Sequence, residues 1–224
     1  VLTHPVRNTG LYAISTDAQG ERSFSYWRDT SAAREMFDLV ESDSALERAS
    51  EADCLSFSLI TLAILSQRSR ERLLDAARSV RDKGGQVVFD GNYRPRLWPD
   101  GDSARRARDA AIAVATIGLP TLEDEIALSG ECDANAVAAH WQQLGCRETV
   151  VKLGADGCRL SDGELIAPTS ALSPVDTSGA GDAFNAGYLS ARLKGADDRS
   201  AARAGHALAG WTIMRTGAIP DRDP

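Results

Sequence analysis

Three consecutive stretches decide the fold: LSFSLITLAIL (Leu55–Leu65), SRERLLDAARSVRDKG (Ser69–Gly84) and QVVFD (Gln86–Asp90). An apolar run, a helical pattern and a β-branched strand in that order are the opening of a strand–helix–strand unit. Outward from it the alternation continues through the Ala-rich helix SARRARDAAIAVA (Ser103–Ala115) and the short apolar TIGLP (Thr116–Pro120). Helical patterns then run through Trp141 and Leu144 to the strand ETVVKL (Glu148–Leu153). This rhythm predicts an α/β fold, a doubly wound and mostly parallel sheet flanked by helices. Two hairpin-like pieces interrupt it: TGLYAISTDAQGERSFSYWR (Thr9–Arg28) and CRLSDGELIAP (Cys158–Pro168), the latter with a turn at Asp162-Gly163. In the first piece Asp17 suits the start of a type I turn and Gly20 its left-handed closing position. Asp17 then faces Glu21, Tyr12 faces Tyr26 and Gly10 faces Arg28, so Tyr12, Tyr26 and Arg28 share one face.

Composition narrows the functional classes. The 224 residues are 43% hydrophobic, enough for one sizeable core, and residues 1–224 are expected to form a single domain with residues 9–28 as a small β lid. A formal charge of -7 and the lack of any Lys/Arg block argue against nucleic acid and anionic membrane surfaces as partners. The longest apolar stretch, Leu55–Leu65, falls short of the roughly 20 residues a bilayer requires. Cys54, Cys132, Cys146 and Cys158 are widely spaced, with no C-x-x-C and no clustered histidines. Buried thiols of a cytoplasmic protein are expected rather than zinc ligands or disulfides. The first residues, VLTHPVRNTG, carry neither an initiating Met nor a signal-peptide pattern, so the chain is expected to begin within a longer protein.

The segment PVDTSGAGDAFNAGY (Pro174–Tyr188) places Gly179, Ala180 and Gly181 directly before a helical pattern, where converging N–H groups and the helix dipole favour an anion. Taken alone, GAGD is equally an N-capping aspartate beside flexible glycines. It lacks the third glycine of G-x-G-x-x-G, and the chain contains no G-x-x-x-x-G-K-[ST]. DTSGAG also fails the G-x-S-x-G elbow, because Asp176 stands where the first glycine belongs.

The longer stretch DTSGAGDAFNAGY resembles the C-terminal signature of the ribokinase-like, PfkB-type carbohydrate kinases. The resemblance implies a ribokinase-like fold, ATP and Mg²⁺ as cofactors, an anion hole at Gly179, Ala180 and Gly181, and Asp182 as the base that deprotonates a sugar hydroxyl. TVVKLGADGCRL (Thr149–Leu160) resembles the family's strand and turn beside ATP, which implies nucleotide contacts at Gly154, Ala155 and Gly157, together with Gly179 and Gly181. AGHALAGWTIMRTGAIP (Ala204–Pro220) resembles the segment bordering the base, with His206 expected to be structural. Where the family carries Asn-x-x-Glu, this chain has PTLEDE, with Thr121 and Asp124 at those positions; metal assistance is assigned to Asp124 or Glu125. The resemblance further implies a homodimer or higher homo-oligomer. It also implies several tens of residues upstream of TGLY, with a Gly-Gly-x-x-Asn motif that does not occur here.

Within the family, NTGLYAISTDAQGERSFSYWRDTSAAR (Asn8–Arg34) and FDGNYRPRLW (Phe89–Trp98) look like the 2-keto-3-deoxygluconate kinases, which make the 6-phosphate. That likeness implies a substrate pocket containing Tyr12, Tyr26, Arg28 and Arg94. The chemistry agrees, because a sugar acid carries a carboxylate and arginine offers it a planar fork of charged donors. Arg96 competes with Arg94 for that role. A kinase for a neutral sugar such as fructose or ribose, and a noncatalytic sugar-binding protein on the same scaffold, are the alternative readings.

Overall fold

The computed structural model describes residues 2–16, 22–39 and 41–221. A two-stranded antiparallel hairpin comes first, β1 (Leu11–Thr16) and β2 (Arg22–Trp27), followed by a short 3-10 turn and α1 (Ser42–Ser50). Tyr12 pairs with Tyr26 across it, the register expected from the sequence. The turn residues Asp17, Gly20 and Glu21 lie outside the described residues.

The apolar run that opens the main unit is divided in two, β3 (Cys54–Ser58) and α2 (Leu59–Ile64). Ser58 makes the division: its hydroxyl accepts from the Thr61 N–H at 3.4 Å while its own N–H donates to the Thr61 hydroxyl at 3.3 Å. This reciprocal cap starts a helix inside a sequence apolar enough to continue as strand. Next come α3 (Gln67–Asp82), capped by Ser66, β4 (Gln86–Asp90), α4 (Gly101–Ile112), capped by Asp100, and β5 (Ile117–Gly118). The chain continues through α5 (Leu122–Ser129), α6 (Ala134–Gln143), β6 (Glu148–Thr149) and β7 (Val151–Lys152). It ends with the hairpin β8 (Cys158–Arg159) and β9 (Leu165–Ile166), then α7 (Ala180–Leu193) and α8 (Asp198–Ile213).

β3, β4, β5 and β6 form a parallel sheet in sequence order, and β7, β8 and β9 form an antiparallel one. Val150 and Lys152 donate to Gly118 O and Pro120 O, so the β6–β7 segment runs on beside β5 and its extension. Alternation along β4 splits the core in two. Val87 and Phe89 pack with α2, α3, α4 and α6, where Phe89 stacks on the buried Trp141, while Val88 faces Leu119, Val150, Phe184 and Tyr188 toward α7 and α8. Strands advancing in one direction with right-handed crossovers keep their connecting helices on one face, and the C-terminal helix pair covers the other. Helices on both faces bury the sheet, as the sequence rhythm implies.

Candidate active site

The carboxyl ends of β4, β5 and β7 open on one side, and the signature segment is built against them. α7 starts at Ala180, with Gly179 as its N-cap at φ 73° and ψ 6°, a left-handed conformation that glycine adopts without strain. A Cβ there would also lie 2.6 Å from Ala218 O. Ala183 N–H is bonded back to Gly179 O, so the N–H groups of Gly181 and Asp182 precede the first full helical turn. Asp176 holds the approach to this turn: its two carboxylate oxygens accept from Ser178 N at 2.8 Å and from Gly217 N at 2.9 Å. The first residue of DTSGAGD is thus a clamp between the turn and the C-terminal segment, a role the sequence did not reveal. Asp182 is exposed in the first turn of α7, where a carboxylate complements the helix dipole.

Beside the turn lies a cavity of about 670 Å³ whose walls include Gly154, Ala155, Gly157, Ala180 and Gly181. Three of the residues expected around a nucleotide, Gly154, Ala155 and Gly157, therefore meet two of the expected anion-hole residues, Ala180 and Gly181, with Gly179 and Asp182 flanking the latter in sequence. Gly157 is required by its position: φ is 103°, and a Cβ would come within 2.2 Å of Ile166 O. Apolar side chains such as Leu172, Phe184, Trp211 and Met214 supply the remaining walls, a surface suited to a flat base. His206 also lines it, stands edge-on to Phe184 and is bonded through Nε2 to Ile166 O at 2.9 Å. Burial pushes its pKa below the ordinary imidazole value, against the smaller effect of that hydrogen bond. The neutral ring donating to Ile166 O suits a structural role.

The residues expected around the sugar fall in two groups. On the hairpin, Tyr12 and Tyr26 lie 6.3 Å apart between ring centroids, and the Arg28 guanidinium sits 4.2 Å from the centre of the Tyr26 ring. Arg94 follows β4, donating to Tyr93 O at 2.6 Å and to Asp124 Oδ1 at 3.3 Å.

Of the two carboxylates proposed for metal, the structure separates the roles. Glu125 is 3% exposed; its Oε2 accepts from Arg108 Nη1 at 2.6 Å and its Oε1 from Trp141 Nε1 at 3.2 Å. The assignment of a metal role to Glu125 is therefore corrected, because one of its oxygens is held in a buried ion pair with Arg108 and the other by the Trp141 indole. Asp124 turns the other way, toward Arg94, Asp90 and Lys152; desolvation raises its pKa and Arg94 opposes that rise. Among the described residues no three His, Cys, Asp or Glu side chains gather to hold a metal. Lys152, Asp90 and Asn185, none of them assigned from the sequence, form a hydrogen-bonded group behind Gly181. Their separation in the chain hid them.

Residues 2–223 match the model of the pfkB family carbohydrate kinases. The chain belongs to that family. Two relatives named 2-dehydro-3-deoxygluconokinase show how near the resemblance is. The Dickeya dadantii protein is 43% identical over 94% of this chain and 70% of its own length. The Escherichia coli protein is 41% identical over 97% of this chain and 72% of its own. Among solved structures, the PfkB protein of a Polaromonas species superposes with a TM-score of 0.77 at 28% identity, covering 93% of this chain and 68% of that one. The pfkB assignment makes this protein a carbohydrate kinase with a ribokinase-like fold. No helix among the described residues is long and apolar enough to cross a membrane.

Proposed function

We propose that this pfkB kinase transfers the γ-phosphoryl group of ATP to a hydroxyl of 2-dehydro-3-deoxygluconate, the sugar acid also called 2-keto-3-deoxygluconate, in the cytoplasm. The observation that carries the reading is the Gly-Ala-Gly turn at the start of α7, which opens onto a nucleotide-sized cavity and presents Asp182 next in line. Asp182 accepts the hydroxyl proton as the sugar oxygen forms its bond to the γ-phosphorus. The bond from that phosphorus to the bridging oxygen breaks, leaving ADP. The N–H groups of the Gly179–Gly181 turn hold the phosphoryl oxygens throughout, so the protein contributes chiefly position and charge.

A sugar acid, rather than a neutral sugar, is favoured by two arginines: Arg28 stacked on Tyr26, and Arg94 at the carboxyl end of β4. The names of the 41–43% identical relatives point the same way. Magnesium fits the donor set in a limited sense. Asp124 supplies one oxygen-donor carboxylate within electrostatic reach of Lys152, and Mg²⁺ is commonly held by one or two carboxylates together with substrate phosphates. Bound there, it would neutralise phosphate charge. The kinase domain is taken as one unit with the β1–β2 hairpin as its lid. A second copy of the chain is the partner proposed for the exposed Leu11 and Trp27 on the hairpin's other face.

An ADP-coupled assay against 2-dehydro-3-deoxygluconate, ribose and fructose tests the reading. Turnover with the sugar acid at least ~10-fold more efficient than with either neutral sugar is expected. Preference for a neutral sugar would overturn the substrate assignment, and heat of sugar binding without ADP formation would overturn catalysis.

A further inference from the structure

A groove between α3 and α4, beside α2, encloses a cavity of about 250 Å³ that shares no lining residue with the 670 Å³ cavity at the Gly179–Gly181 turn. Two arginines line it, Arg70 from α3 and Arg106 from α4. Other arginines of the same helices are neutralised: Arg72 pairs with Asp43, Arg78 with Asp75, Arg105 with Asp102 and Arg108 with Glu125. Among the described residues, neither Arg70 nor Arg106 forms an ion pair with a carboxylate. Arg70 Nε donates to Leu62 O at 2.5 Å and Arg106 Nη2 to Ser103 Oγ at 3.1 Å, both uncharged acceptors.

Arg70 is held in place for such a task. Its guanidinium lies 4.7 Å from the centre of the Trp98 ring, so the indole covers one side while Leu62 O ties the Nε end, leaving the two terminal nitrogens to meet the groove. Burial lowers its pKa and the nearby charge of Arg34 lowers it further, a strain on the cation that a bound anion would relieve.

The other walls narrow the anion. Glu71 lines the same cavity, so two positive charges face one negative charge. A monoanion balances that set, whereas a dianion would meet the Glu71 carboxylate with charge to spare. Leu62 and Leu74, both buried, give a short carbon chain an apolar floor. Gln67 Nε2 donates to Glu71 Oε1 at 2.8 Å, which leaves the Gln67 amide oxygen as an acceptor, and the Ser103 hydroxyl, accepting from Arg106, keeps its own proton to donate. A hydroxyl group on the ligand suits both.

We infer that this groove is a second ligand site that takes a small hydroxycarboxylate, with Arg70 and Arg106 receiving its carboxylate and Gln67 and Ser103 its hydroxyl. The inference stands apart from the sugar and nucleotide assignments, because no residue of either takes part in it.

The test is calorimetric titration, at constant ionic strength, of lactate, propionate, 1,2-propanediol and inorganic phosphate into the parent chain and into Arg70→Gln, Arg106→Gln, Glu71→Gln and Arg94→Leu. Lactate should bind the parent more tightly than propionate, which lacks the hydroxyl, than propanediol, which lacks the charge, and than phosphate. Arg70→Gln and Arg106→Gln should each weaken lactate at least ~5-fold. Arg106 is exposed, so its variant reads the charge even if loss of the Trp98 contact unfolds Arg70→Gln. Glu71→Gln should tighten lactate by about 2-fold or more, since it removes a like charge. Arg94→Leu separates this groove from the sugar site, and lactate should bind it within about 2-fold of the parent. Absence of lactate binding, equal affinity in the parent and Arg106→Gln, weaker binding in Glu71→Gln, or a loss confined to Arg94→Leu would overturn the inference. Propionate, propanediol or phosphate binding as tightly as lactate would overturn the ligand class and the inference with it.

Discussion

Arg94 Nη1 lies 3.3 Å from Asp124 Oδ1, so the arginine expected to hold the substrate's carboxylate already has a carboxylate partner. The pair is partly exposed, and solvent weakens it accordingly. A sugar acid arriving at Arg94 offers a second carboxylate, and the planar guanidinium fork can serve both.

Replacing Arg94 with Leu should therefore lower kcat/KM for the sugar acid by about 1.5–3 kcal/mol, roughly 10- to 150-fold, while the KM for ATP changes little. Steady-state kinetics with each substrate varied in turn makes the check. An equal rise in both KM values would mean that Arg94 supports the site as a whole.

Asp182→Asn should keep the fold, since the side chain is exposed and the amide is its near-isostere. Its kcat should drop at least ~10²-fold, because an amide cannot accept the hydroxyl proton. Near-parental turnover in a clean preparation would remove Asp182 from the mechanism.

What could be read from the sequence followed from local rules. Period-two alternation gave the hairpin face shared by Tyr12 and Tyr26, and the alternation of strand and helix patterns gave the buried sheet. The helix-start signature gave the Gly179–Gly181 turn. Two kinds of feature were not local. Asp124 and Glu125 are adjacent, and only the orientation of α5, set by Trp141 and Arg108 packing beneath it, shows which faces the site. Lys152, Asp90 and Asn185 meet through the crossing of three elements, and no spacing within the chain encodes that meeting.

The Arg108–Glu125 pair should prove a stability element. Arg108→Met leaves Glu125 as a buried carboxylate without its cation, a loss of about 3–5 kcal/mol in denaturant unfolding. Arg108→Met combined with Glu125→Leu should recover much of that loss, because the uncompensated charge is gone. A single variant as stable as the parent would show that the pair contributes nothing.

His206 supplies a pH dependence whose sign follows from its burial. Its pKa is lowered in the folded chain, so the unfolded chain takes up the proton first as the solution is acidified. The stabilisation is complete above the unfolded imidazole value near pH 6.5 and is lost as pH falls through the lowered folded value. Melting measured from pH 7.5 to 5 should fall more steeply for the parent than for His206→Gln, which cannot titrate. Parallel curves would show that His206 is not responsible.

The glycine at the head of α7 allows a controlled comparison. Gly179 and Gly195 both have positive φ, 73° and 88°, so alanine is strained at either position by about 1–3 kcal/mol. At Gly195 nothing lies within 4 Å of the added Cβ, and the cost ends there. At Gly179 the Cβ would meet Ala218 O at 2.6 Å, so either the turn or the Gly217–Ala218 segment clamped by Asp176 must move. A turn displaced by this much carries its N–H groups away from the phosphoryl oxygens, and loss of such donors typically lowers kcat by about 10²–10³-fold. Gly195→Ala should accordingly lower the melting temperature with kcat intact, whereas Gly179→Ala should lower both. Equal effects of the two substitutions on kcat would show that the turn's geometry is not what positions the phosphoryl group.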